Sequence, residues 1–190
     1  MELIAVGGGI GSGKSVFCEA LKKAGAKVIS ADQVNADLMQ EAEYLVGLAR
    51  IFPTAFRGGQ PDKREIRNLI FQNPHLRESL NAYAHPAIMK EIFQRAAAFG
   101  GTVFVEIPLL MEGDFYRYFS KVIVVWASDE IRIERIMERN GISRESAVSM
   151  MNAQAKERDA CKVATDVVMN DKDRENLVSE ALRLYAKYAG

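Results

Sequence analysis

Apolar positions along the chain fall into two patterns. Leu3–Val6, Lys27–Ser30, Thr102–Ile107, Lys121–Trp126 and Asp166–Met169 form short runs without polar alternation. Such runs predict strands buried on both faces, as in a parallel sheet. Between them, apolar residues recur at helical spacing. Gly13–Ala24 predicts a helix stopped by Gly25, and Gln33–Ile51 predicts another carrying Leu38, Leu45, Leu48 and Ala49 on its apolar side. Asn73-Pro74 supplies an N-cap and first helical residue, and His85-Pro86 opens a further helix that runs to Phe99. Glu130–Arg139, Ser143–Arg158 and Asp173–Tyr188 complete the helical set.

Alternation of this kind predicts an α/β fold, a parallel five-stranded sheet with helices on both faces. One connection departs from it. The stretch from Ser30 to Thr102 far exceeds the dozen or so residues of a simple crossover, about 10–12. It reads as a helical insertion with its own task, and the Gly- and Pro-rich loop Pro53–Asp62 reads as its flexible point.

Composition narrows the classes. With 190 residues, 48% hydrophobic and 26% charged, the chain suits one domain with a sizeable core and excludes disorder. Twenty-five basic residues cancel 25 acidic ones, which argues against nucleic acid or an anionic membrane as the main partner but leaves room for a local anion site. Cys18 and Cys161 have neither metal-ligand nor redox spacing. The N-terminal residues show no secretory pattern and no apolar run reaches membrane-spanning length, so a cytoplasmic protein is expected.

The chemistry begins at Gly8-Gly9-Ile10-Gly11-Ser12-Gly13-Lys14-Ser15, which matches G-x-x-x-x-G-K-[ST] and continues through Val16 into a predicted helix. Glycines let the backbone wrap an anion, and the helix adds the positive end of its dipole. Lys14 is expected on the β/γ-phosphates of ATP and the Ser15 hydroxyl on Mg²⁺. Two acids follow strands. Asp32 reads either as a base facing Lys14 and Ser15, if the second strand lies near the first, or as the N-cap of the next helix. Glu106 reads as a holder of Mg²⁺ or its water, or as an acid emerging into solvent. Arg132, Arg135 and Arg139 share one helical face, with Arg144, Lys156, Arg158 and Lys162 nearby. They form either a lid that clamps a transferring phosphoryl group or a solvated face balanced by Glu134, Glu138 and Glu157. Asn170-Asp171-Lys172-Asp173 is out of register for guanine recognition, so a switch-type GTPase is not expected.

The ordered set of motifs resembles the dephospho-coenzyme A kinases, P-loop kinases that phosphorylate a ribose 3′-hydroxyl. The resemblance rests on Gly8–Ser15, Val28-Ile29-Ser30-Ala31-Asp32, Asp62, Phe71, His85-Pro86, Pro108-Leu109-Leu110-Met111-Glu112, Arg139, Gly141–Glu145, Ala153-Gln154 and Asp166-Val167-Val168 with Asn170. It implies Asp32 as catalytic base, with Lys14 and Arg139 assisting the transfer. It implies a core near 1–32, 101–138 and 163–190, and a helical acceptor-binding insertion near 33–100. His85, Arg64, Pro108 and Leu109 would serve the dephospho-CoA site. A lid near 139–162 would bring in Arg144, Arg158 and Lys162. Ser30, Asn140, Ala160 and Thr165 stand where the family has other residues. The implied partners are ATP, Mg²⁺ and dephospho-CoA, with another small-metabolite kinase or a non-catalytic nucleotide binder as alternatives.

Overall fold

In the computed structural model, which describes residues 1–189 apart from the surroundings of Gly113, the non-alternating runs are the strands of one parallel sheet. β1 (Glu2–Gly7) passes through the glycine loop into α1 (Lys14–Lys23), and β2 (Lys27–Ser30) leads into α2 (Ala31–Leu38). α3 (Ala42–Ile51), the ribbon β3 (Phe56–Arg57) and β4 (Gln60–Pro61), α4 (Lys63–Gln72) and α5 (Pro74–Phe99) follow. The chain then returns to the sheet as β5 (Thr102–Glu106) and β6 (Lys121–Trp126). α6 (Asp129–Asn140), α7 (Arg144–Ala153) and the short α8 (Ala160–Val163) precede β7 (Asp166–Met169) and α9 (Arg174–Ala189).

The five-stranded sheet runs in the order β2-β5-β1-β6-β7 and every pairing is parallel. β1 is central, so the glycine loop leaves the middle of the sheet at its carboxyl edge, where α/β folds bind ligands. β5 lies between β1 and β2. Strand adjacency therefore gives no support to facing Asp32 toward Lys14.

Both faces of the three central strands β5, β1 and β6 are buried, as the sequence pattern requires, whereas the edge strand β7 departs from it and leaves Val167 and Met169 exposed. Ile4, Val6, Phe104, Ile123, Val125 and Val168 meet Phe17 and Leu21 of α1 and Leu177, Ala181 and Leu184 of α9. The alternate residues Leu3, Ala5, Val103, Val105, Val122 and Val124 point the other way and are equally covered. A second cluster packs Ile133 and Ile136 of α6 on Ala147 and Met151 of α7, with Ile10 of the glycine loop against it.

The chain divides into two compact units, Met1–Ala31 with Arg95–Gly190, and Asp32–Gln94. In the second, the Tyr44 hydroxyl donates to Asn35 Oδ1 at 3.0 Å and the Tyr83 hydroxyl to the Tyr44 carbonyl at 3.1 Å. These bonds tie together α2, α3 and α5. The loop read as flexible forms the β3–β4 ribbon, turned by Gly58 and Gly59 at φ 58° and 79°.

Three helix expectations are corrected. Gln33–Ile51 is two helices, because Gln40 N–H and Glu41 N–H tighten onto Asp37 O and Leu38 O and end α2. His85-Pro86 does not open a helix but lies within α5, 26 residues long, which starts at Pro74 on the Asn73 cap. Proline there removes one helical hydrogen bond, yet Ala84, Ile88, Met89, Ile92 and Ala96 keep one buried stripe across it. The helix from Ser143 ends at Ala153 rather than Arg158, which turns Glu157 inward.

Candidate active site

Gly13 caps α1 at φ 95°, and a Cβ there would lie 2.2 Å from Asn170 Nδ2. Only glycine suits a left-handed residue pressed so closely. Loop N–H groups can turn toward an anion only if the loop carbonyls find donors elsewhere. Four consecutive carbonyls do so. Gly9 O accepts from Ser12 N–H at 3.2 Å. Ile10 O accepts from Arg132 Nε at 2.9 Å, Gly11 O from Arg135 Nη1 at 3.4 Å and Ser12 O from Asn170 Nδ2 at 2.8 Å. Arg135 Nη2 also donates to Asn170 O at 3.0 Å, and Ile10 N–H donates to Gln154 Oε1 at 2.9 Å.

The loop opens onto a cavity of 420 Å³ lined by Gly8–Val16 with Pro108, Arg135, Arg139 and Gln154. Lys14 Nζ donates to the Ile107 carbonyl at 3.3 Å, and the Ser15 hydroxyl donates to Glu106 Oε1 at 3.0 Å. A hydroxyl beside a carboxylate, at the foot of a phosphate loop, suits Mg²⁺, which keeps waters and shares its shell with phosphate oxygens. Among the described residues no cluster of three His, Cys, Asp or Glu forms a separate metal cage.

The basic face of α6 splits by role. Arg132 is fully buried rather than solvated, with its guanidinium 4.2 Å from the Trp126 ring centre. Burial draws its pKa down, and the Asp129 carboxylate opposes that. Arg135 and Arg139 line the cavity, and Arg139 Nε donates to Asn140 Oδ1 at 3.0 Å. Arg144, Arg158 and Lys162 have carboxylate partners instead, Glu130, Asp129 and Asp159.

Asp32, Arg64 and His85 belong to the second unit. Asp32 lies inside the first turn of α2, which starts at Ala31, so it is not the N-cap of a helix beginning at Gln33. Arg64 opens α4 with its N–H on Asp62 Oδ1 at 3.0 Å. His85 is half-buried before Pro86. Leu109 is half-buried in the turn after β5, and its carbonyl accepts from Glu112 N–H at 3.2 Å.

Sequence reasoning undervalued Glu157. As a counter-charge on a solvated face it would be exposed, yet it is buried and accepts from Leu110 N–H at 3.1 Å and Met111 N–H at 3.0 Å. Burial raises its carboxyl pKa, and the two N–H bonds pull the other way. It fixes the turn that carries Pro108 to the cavity. Gln154 and Asn170 were present as motif residues, but nothing local to them announced contacts with the loop. Two of the departures from the family pattern fill structural places. Ala160 is fully buried, and Thr165 Oγ1 accepts from Val122 N–H at 3.1 Å as β7 begins.

Comparison with known proteins agrees with this geometry. A dephospho-CoA kinase from Xanthomonas euvesicatoria pv. vesicatoria is 34% identical over 192 residues, covering 98% of this chain and 95% of its own. The crystal structure of a Thermus thermophilus protein matches with a TM-score of 0.86 at 32% identity, over 100% of this chain and 98% of that one. The dephospho-CoA kinase of Campylobacter jejuni matches with a TM-score of 0.74 at 26% identity, over 100% and 98% of the two chains. The family model for dephospho-CoA kinase matches residues 2–176, and the chain belongs to that family.

Proposed function

We propose that this chain transfers the γ-phosphoryl group of ATP to the ribose 3′-hydroxyl of dephospho-CoA, giving ADP and CoA, the closing step of coenzyme A synthesis. The observation that carries the reading is the cavity in which Lys14, Arg135 and Arg139 face the glycine loop. Four successive loop carbonyls, from Gly9 to Ser12, have donors of their own, so the loop N–H groups other than those of Ile10 and Ser12 can turn to phosphate oxygens.

In this reading the acceptor's 3′-oxygen attacks the γ-phosphorus in line, the bond to the β–γ bridging oxygen breaks, and ADP leaves. The acceptor proton passes to the Asp32 carboxylate as the new bond forms. Lys14 leaves Ile107 O for the β/γ-phosphates. Ser15 and Glu106 would hold Mg²⁺ or its water, and the ion would supply neutralising charge to the nucleotide phosphates. Arg139 stabilises charge on the transferring group.

The segment near 33–100, with Arg64 and His85, is assigned to dephospho-CoA, together with Pro108 and Leu109 beside the nucleotide. The segment near 139–162 is assigned as a lid. Arg144 and Arg158, with Lys162 at its end, would exchange their carboxylate partners for phosphate on closure. No described helix is long and apolar enough to cross a membrane, and a cytoplasmic setting fits a reaction that consumes ATP.

The test is ADP release with ATP, Mg²⁺ and dephospho-CoA, comparing the natural chain with Asp32→Asn. Acceptor-dependent turnover that falls about 10²–10⁴-fold in the variant is expected. Turnover indifferent to Asp32 would remove it as the base. ATP binding without turnover on dephospho-CoA would sink the proposed reaction.

A further inference from the structure

Arg132 is the largest of the fully buried side chains. A guanidinium out of water needs partners for its charge and its N–H groups. Its charge meets the Trp126 ring face at 4.2 Å and Asp129 Oδ1 at 3.5 Å. Its Nε–H meets the Ile10 carbonyl at 2.9 Å. The loop lies directly on this stack. A Cβ on Gly9 would fall 2.5 Å from Arg132 Nη2 and 3.3 Å from Trp126 Cζ3. One turn further along α6, Arg135 holds the next carbonyl, Gly11 O, at 3.4 Å.

We propose that Arg132 is a positioning residue of the phosphate loop: stacked on Trp126, its guanidinium holds the Ile10 carbonyl outward and so keeps the loop shaped for an anion before nucleotide arrives. The inference rests on nucleotide binding by the loop and extends it to the residues behind the loop, which touch no substrate. A lysine at 132 would keep the charge but lose both the planar face that stacks on Trp126 and the Nε–H aimed at Ile10 O. Trp126 is the chain's single tryptophan, so its emission reports on this contact.

The experiment uses ADP, which binds without turnover. Titration of the natural chain is followed by Trp126 fluorescence and by calorimetry, and Arg132→Lys and Trp126→Phe are titrated by calorimetry alone. Bound ADP is expected to shift Trp126 emission. Arg132→Lys is expected to bind ADP about 10-fold more weakly or worse, with Trp126→Phe weakened less. In steady-state assays Arg132→Lys should raise the KM for ATP and leave the KM for the acceptor in place, a split that general destabilisation would not produce. A folded Arg132→Lys with unchanged ADP affinity would overturn the inference while leaving the kinase reading intact. Should that variant fail to fold, Trp126→Phe decides, because ADP affinity unchanged by loss of the indole under the guanidinium overturns it as well. A natural chain that binds no ADP would overturn the nucleotide reading, and this inference with it.

Discussion

The Ser15 hydroxyl donates to Glu106 Oε1 at 3.0 Å, joining the first turn of α1 to the end of β5. Val6 and Ser30 both stand opposite Glu106 in the sheet register, so the acid emerges between the carboxyl ends of β1 and β2. Neither group is rare in its own place. Their pairing is informative because hydroxyl and carboxylate oxygens are the ligands that Mg²⁺ prefers. Glu106→Gln keeps the size and a hydrogen-bond acceptor but removes the charge. It is expected to raise the Mg²⁺ concentration needed for half-maximal ADP release by about 10–100-fold. An unchanged Mg²⁺ titration would make Glu106 a partner of Ser15 and nothing more.

Gly13 is a sharper point of failure than its size suggests. Alanine there would need φ near 95° and would drive Asn170 off Ser12 O. The strained backbone alone costs about 1–3 kcal/mol. Gly13→Ala should lower the thermal midpoint and abolish measurable ADP binding. Retained ADP affinity in the variant would mean that the loop can reshape around a side chain.

Arg139 and Arg144 separate cavity from surface. Arg139 lines the cavity, whereas Arg144 makes an exposed pair with Glu130 at 2.7 Å. Exposed pairs contribute little to stability and are screened by salt. Arg139→Ala should lower kcat with the thermal midpoint unchanged. If the lid assignment holds, Arg144→Ala lowers kcat too, also without thermal effect. An Arg144→Ala variant with full activity would reduce that residue to a surface ion pair.

The parts of the fold that were legible are those written locally. Five apolar runs became five strands, and the glycine loop became the cradle, because each is specified within a few neighbouring residues. Contacts that come from far along the chain were illegible. Asn170 reaches Ser12 O across 158 residues and Arg132 reaches Ile10 O across 122. A charged residue on a polar-looking helix face reads as solvated, and for Arg132 that rule is overridden by the Trp126 ring and a loop carbonyl. Helix α4 is a different case. Ile66, Leu69 and Ile70 have helical spacing and Asp62 caps the helix with two N–H bonds, so the signal is present in the sequence although no helix is among those expected from it.

Glu157 yields a prediction in pH. Its carboxyl pKa is raised in the folded chain, chiefly by burial, despite the opposing bonds from Met111 and Leu110 N–H. The folded state therefore holds its proton more tightly than the unfolded state does. The stability this provides is complete below the unfolded carboxyl pKa, about 4.3, and is lost as pH rises through the higher folded value. Glu157→Gln removes that titration. It also leaves one of the two turn N–H groups facing an amide NH₂, a loss of about 1–3 kcal/mol for a buried donor. The variant should thus be less stable than the natural chain at low pH, and the gap should narrow as pH rises past the folded pKa. Denaturant midpoints of both chains, measured from about pH 4 to pH 8, read the difference directly. A gap that widens with pH would mean that the N–H bonds from Leu110 and Met111 outweigh burial and that Glu157 is held as a carboxylate.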